Sequence, residues 1–157
     1  MKDFNKALKY SFLLLKYRER SKNELIFRLK KKGYSFSLAK EVLNYLEDNN
    51  YINDKKFVDS FVSYSLQKGW GPRRIDFNLK KLGISFRFRE QALQGQVYSD
   101  RIREIAQKRS AYYRKIKPSL SKKLIYQRII RVLTAKGFDY EDIFREMQNL
   151  GLGSFEN

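Results

Sequence analysis

The chain contains no cysteine and no histidine. Without cysteine there is no disulfide framework, no thiol nucleophile and no zinc knuckle, and the expected compartment is the cytosol. Without histidine the commonest general base and the commonest transition-metal ligand are missing, and a Ser-His-Asp triad is excluded. Asp, Glu, Lys and Tyr can still do chemistry, so the absence lowers the odds of catalysis without excluding it. Prolines number only two, and no stretch reads as a proline-rich or glycine-rich linker. The longest apolar run is FLLL at 12 to 15, far short of the ~20 residues of a membrane span. MKDFNKALKY, at the start, lacks the apolar stretch and small-residue cleavage site of a signal peptide. No Gly-x-x-x-x-Gly-Lys-[Ser/Thr] phosphate loop occurs, and GWG and GLG are too short to count as nucleotide fingerprints. The carboxylate pairs Glu47-Asp48 and Glu141-Asp142 read as helix-end residues, with Asp142 near an N-terminal cap. We expect no cofactor, no metal, no membrane and no catalytic residue.

Positive charge is what the chain has in excess. Lys and Arg number 34 against 17 Asp and Glu, a net +17, while 42% of residues are hydrophobic. The apolar fraction suffices for a folded core. The charge points to polyanionic partners: nucleic acid, acidic protein surfaces, or both.

Three segments repeat. SKNELIFRLKKKGYS from Ser21, GPRRIDFNLKKLGIS from Gly71 and IYQRIIRVLTAKGFD from Ile125 superimpose. Apolar residues occupy the fifth place (Leu25, Ile75, Ile129) and leucine the ninth (Leu29, Leu79, Leu133). Glycine takes the thirteenth (Gly33, Gly83, Gly137). Apolar spacing of four predicts a helix, and the glycine a left-handed stop. A helix precedes each segment, with apolar stripes at Phe4, Leu8, Phe12 and Leu15, at Phe57, Val58, Phe61, Val62 and Leu66, and at Ile102, Ile105, Ala106 and Ile116. A short helix follows each glycine, with Leu38, Val42, Leu43 and Leu46, then Phe86, Ala92 and Leu93, then Ile143, Phe144, Met147 and Leu150. Ser21 with Glu24 predicts a capping box, Asp139 a cap of the last helix, and Pro72 a first helical position. The fold class is all-α: three tandem three-helix repeats, at 1–50, 51–98 and 99–157, forming an elongated, curved molecule. Units of about 50 residues are marginal alone and gain from stacking. Gly151 to Asn157 is expected to fray. KGWGPRRI, at 68 to 75, then falls at a corner: Gly69 ends one helix, and Gly71-Pro72 starts the next. Trp70 either plugs that joint or meets a partner.

These repeats carry three ordered signatures. RERSKNEL at 18 to 25 resembles an Arg-Ser-x-x-Glu-Leu motif. NNYINDKKFV at 49 to 58 resembles Gly-Tyr-[Ile/Leu]-[Asn/Asp]-Asp-x-x-[Phe/Tyr], with Asn50 where glycine is usual. KGWGPRRI resembles Lys-Gly-x-Gly-Pro-x-x-Ile. Together they resemble the RecX family of regulators of the RecA recombinase, most closely from Ala7 to Gly83, the third repeat matching by helix pattern only. The resemblance implies a non-enzymatic protein that binds the helical groove of the RecA filament on DNA. It further implies inhibition of strand exchange and ATP turnover, damping recombination, DNA repair by that route and the SOS response.

Residues 101 to 136 hold twelve basic residues and one acid, Glu104. The candidate contacts to the RecA filament and to nucleic acid, weak and indifferent to base sequence, are Arg101, Arg103, Lys108, Arg109, Arg114, Lys115, Lys122, Lys123, Arg128 and Arg131. Arg18, Arg20, Lys68, Arg73 and Arg74 join them. Cations at a helix start oppose its dipole, which singles out Arg73 and Arg74. Tyr112, Tyr113 and Tyr126 are interleaved and either stack on bases or pack at the core boundary. A monomer is expected, since tandem repeats need no dimer. The alternative is a direct DNA-binding protein of helix-turn-helix type, read out by residues such as Arg73 and Arg74.

Overall fold

A computed structural model describes residues 2–153. Among these there are nine helices and no strand. The first repeat holds α1 (Lys2–Tyr17), α2 (Lys22–Lys31) and α3 (Phe36–Asp48). The second holds α4 (Asp54–Gln67), α5 (Pro72–Lys81) and α6 (Phe86–Gln94). The third holds α7 (Ser99–Ile116), α8 (Lys122–Ala135) and α9 (Tyr140–Asn149). The fold is the expected all-α succession of three-helix repeats.

Period-four spacing places Leu25, Leu29, Ile75, Leu79, Ile129 and Leu133 fully out of solvent. Each of these middle helices stops on a glycine at positive φ: Gly33 at 97°, Gly83 at 74° and Gly137 at 89°. The next amide then closes the turn onto a carbonyl five residues back. Tyr34 reaches Leu29 at 3.2 Å, Ile84 reaches Leu79 at 3.1 Å and Phe138 reaches Leu133 at 3.2 Å. This is the usual left-handed way to satisfy the last carbonyls of a helix. Asn50 ends α3 in the same way at φ 59°; asparagine tolerates that region better than other side chains.

By compactness the chain divides in two. One unit takes the chain to Phe61 together with Asn78–Ala92; the other takes Val62–Phe77 together with the chain from Leu93. In the first, Ala7, Leu25, Leu29, Ala39, Val42, Leu43, Leu46 and Ile52 form the core. In the second, Ile102, Ala106, Ile125, Ile129, Leu133, Phe138, Ile143 and Met147 do so.

Several local expectations need correction. The innermost positions of α1 are Ala7 and Ser11, whose small side chains leave room for neighbouring helices, with Ser11 Oγ donating to Ala7 O at 3.0 Å. Phe12 sits at the surface, edge-on to Tyr51 with centroids 4.8 Å apart. In α6 the buried residue is Arg89, while Phe86 is exposed; the Arg89 guanidinium donates to Ile84 O at 2.7 Å and lies 5.7 Å from the Phe86 ring. Ile116 and Phe144 are exposed as well. α8 begins one turn before Ile125, because Ser121 caps it through the Leu124 amide at 3.3 Å. Ser21 caps α2 through the Glu24 amide, but the Glu24 carboxylate does not return the bond. It pairs with Arg18 and Arg20 instead. Asp139 occupies the cap position of α9 without making the cap bond, since its carboxylate pairs with Arg73. Gly151–Gly153 is no fray: Leu152 N donates to Met147 O at 3.0 Å and Leu152 packs on the core. The rest of that segment, 154–157, lies outside the described residues.

One contact occurs twice. In the first unit, Ser21 Oγ donates to Leu82 O at 2.7 Å and Asn23 Nδ2 to Gly83 O at 2.8 Å. In the second, Gly71 N donates to Lys136 O at 2.7 Å and Arg73 N to Gly137 O at 3.0 Å. Gly71 is the repeat counterpart of Ser21, and Gly137 of Gly83. The start of each of the first two middle helices therefore meets the glycine stop of the repeat that follows. In these bonds the donors are side chains at the first joint and backbone amides at the second.

Candidate nucleic-acid interface

The structure sorts the fifteen candidate cations by what already holds them. Arg18 and Arg20 converge on Glu24, and Arg20 Nε also reaches Leu14 O at 3.2 Å. The Arg20 and Glu24 side chains are each only 10% exposed, so this pair belongs to the packing of the first repeat. Arg73 is held by Asp139, and the Arg74 guanidinium lies 4.3 Å from the Trp70 ring centroid. Trp70 is half-buried, which fits the joint-plugging role. Lys68 lies 5.3 Å from the Tyr64 ring. On the first half of α7, Arg101 and Lys108 share Glu104 at 2.5 and 2.7 Å. Arg103 spans Asp100 at 2.5 Å and Glu146 at 3.4 Å. The hydrogen bond from Lys108 and the charge of Arg101 hold the Glu104 carboxyl below the usual carboxylate range.

What remains forms one set. Arg109, Arg114, Lys115, Lys122, Lys123 and Arg131 are exposed, and none pairs with a carboxylate among the described residues. Arg128 is half-buried over the Tyr113 ring at 5.5 Å. All seven lie on the second half of α7 and on α8. The intervening turn adds Lys117, equally exposed. Near this set Lys136 sits in positive surroundings: burial first, then the charges of Arg109, Arg74 and Arg101, push its ammonium below the usual lysine range. A cleft of about 80 Å³ opens between α7 and α8, with Arg114 and Lys122 among its lining residues and Ile125 and Ile129 behind them.

The tyrosines divide. Tyr113 and Tyr126 pack against the core of the second unit, and burial raises the Tyr126 phenol above its ordinary value. Tyr112 is exposed, edge-on to Tyr113 at 5.6 Å, and is the tyrosine free to stack on a base. The sequence shows the basic residues as one stretch. It could not tell paired from unpaired, because partners such as Asp139 and Glu146 come from other elements.

No helix among the described residues is long and apolar enough to cross a membrane. The unpaired cations are long, flexible side chains without an ordered carboxylate, and such groups can neutralise phosphates or acidic side chains.

Successive three-helix repeats, each with a glycine-stopped middle helix and the first two joined through it to the repeat that follows, define a tandem helical-repeat protein. Family comparison narrows the class. The first three-helix domain of RecX matches residues 4–46 and the second matches residues 53–93. The chain belongs to the RecX family. It is 36% identical over 98 residues to "Regulatory protein RecX" of Geobacillus sp. (strain WCH70), which covers 62% of this chain and 35% of that protein. It is 36% identical over 81 residues to that of Chlorobium limicola, covering 51% of each. The matched stretches thus span between about a third and about half of these relatives. The crystal structure of RecX from Lactobacillus salivarius superposes with a TM-score of 0.84 at 27% identity, covering 96% of this chain and 98% of that one.

Proposed function

We propose that this protein is a non-catalytic regulator that binds the RecA–DNA filament along its groove and restrains its recombinase and ATPase activity. The observation that carries the reading is the set of exposed, unpaired cations on α7 and α8 in a member of the RecX family. A filament groove displays an anionic assembly of protein and DNA. Each phosphate neutralised by Lys or Arg releases about 0.7–0.9 counterion, so affinity is high at low salt and indifferent to base sequence. Arg73 and Arg74, the named readers of the helix-turn-helix alternative, contact Asp139 and the Trp70 ring; a preferred DNA sequence in footprinting would support that alternative instead. Titrating the DNA-dependent ATPase of RecA with this protein tests the proposal. Turnover is expected to fall at substoichiometric to equimolar amounts. Unchanged turnover together with unchanged filament length overturns it.

A further inference from the structure

The FLLL run at 12 to 15 is not used up by the core. Ala7 and Ser11 are the innermost residues of α1, and Phe4, Leu8, Leu14 and Leu15 pack beside them. Leu13 stays 51% exposed and Tyr17 78% exposed. Lys6, Lys9, Tyr10, Leu13 and Lys16 fall at intervals of three and four, which places them on one side of the helix. The turn after α2 adds Lys32 and Tyr34, and with Phe12 these line a shallow, wide-open groove of about 590 Å³. Tyr10, Phe12, Leu13 and Tyr34 supply the apolar floor. Lys6, Lys9, Lys16 and Lys32 surround it. Lys32 Nζ lies 5.6 Å from the Tyr10 ring centroid, and Lys6 lies 3.9 Å from Asp3. Lys9, Lys16 and Lys32 pair with no carboxylate among the described residues.

We propose that this lysine-ringed groove on α1 docks an acidic segment of a protein partner, with apolar side chains seated on Leu13 and the tyrosines and carboxylates meeting the lysines. Charge selects the occupant. A second copy of the chain would bring four more lysines against these four, on a molecule already at +17, and like charges brought together disfavour that contact. Nucleic acid could stack on Tyr10, Phe12 and Tyr34 but makes no use of the exposed aliphatic Leu13, and a membrane surface takes an apolar stripe along one helix, whereas this set is shared between α1 and the turn after α2. An acidic amphipathic segment satisfies both the floor and the rim. The proposal does not rest on the polyanion face of α7 and α8, which uses other residues.

The test uses the full chain and a fluorescently labelled synthetic peptide of Asp, Glu, Leu and Phe, patterned as an amphipathic helix. Anisotropy is expected to give a Kd of about 10 μM. Leu13→Asp, and separately Lys9→Glu with Lys16→Glu, should each weaken binding at least about tenfold while leaving DNA binding unchanged. Because these residues are exposed, the variants should keep the wild-type circular dichroism and melting temperature. Several outcomes overturn the idea: equal binding of a peptide whose Leu and Phe are replaced by Ser, or unchanged affinity in Leu13→Asp. So does capture by vesicles containing phosphatidylserine that Leu13→Asp abolishes while the peptide fails to bind. A dimer in sedimentation that the same variant dissolves overturns it too.

Discussion

Gly71 lies so close to Gly137 that a β-carbon on it would stand 2.4 Å from the Gly137 carbonyl carbon and 2.4 Å from Phe138 N. Backbone cannot yield as a flexible side chain can, so Gly71→Ala has to part the second joint. A cost of about 2–4 kcal/mol is expected, seen as a fall in Tm of about 10 °C. Gly95→Ala, where a β-carbon meets nothing within 4 Å, is the control and should change little. Tyr98 presents the opposite problem. It packs against Phe138 with centroids 6.4 Å apart, yet its hydroxyl is buried without a hydrogen-bond partner among the described residues. Burial pushes its phenol up to about 12, above the ordinary value near 10 that the unfolded chain has. The favourable term is therefore whole below about pH 10 and is lost as pH climbs from about 10 to about 12. Tyr98→Phe should be as stable as the parent at pH 7, or more so by about 1 kcal/mol. It should also lose less stability between those pH values. Denaturant unfolding across that range measures it, and parallel curves would refute the assignment.

At the scale of elements, what was legible followed from periodicity. The three middle helices, their glycine stops and their inward leucines and isoleucines repeat at fixed spacing, and a 3.6-residue period needs no partner to be read. The errors arose where a residue's environment came from elsewhere. Ser11 is inside because small side chains allow close packing of helices, which an apolar count overlooks. Arg89 is inside because its stem is apolar and its head finds the Ile84 carbonyl, the behaviour expected of long cationic side chains. Asp139 fails to cap because Arg73 claims it. The basic stretch was visible as a stretch; its division into a paired half and an unpaired half was not. That division gives a prediction for α7 and α8. Changing Arg109, Arg114, Lys122 and Lys123 together to Glu should weaken binding to free DNA and flatten its dependence on salt, because the counterions they release no longer contribute. An unchanged salt slope would place the contacts on other residues.

For the whole molecule, repeats and compact units are different divisions. The second repeat contributes to both units: α4 is divided after Phe61, and α5 between Phe77 and Asn78. A sequence repeat is a unit of pattern; the two cores nevertheless lie within the first and the third repeat, with Ile52 of the second joining the former. The recurrence of one joint at two places, offset by the repeat length, is the structural counterpart of the sequence periodicity.

That joint has a consequence for measurement. The first amides of a helix have no partner inside it and ordinarily exchange their protons with water quickly. At the start of α5, Gly71 N–H and Arg73 N–H instead donate to Lys136 and Gly137. Their deuterium uptake should be slow, and their rates should rise together whenever the contact between the second and third repeats opens. At the first joint the corresponding donors are the side chains of Ser21 and Asn23, which leave no amide signal of that kind. Two backbone protons thus serve as a native gauge of one joint's opening, readable by exchange without any label attached to the protein.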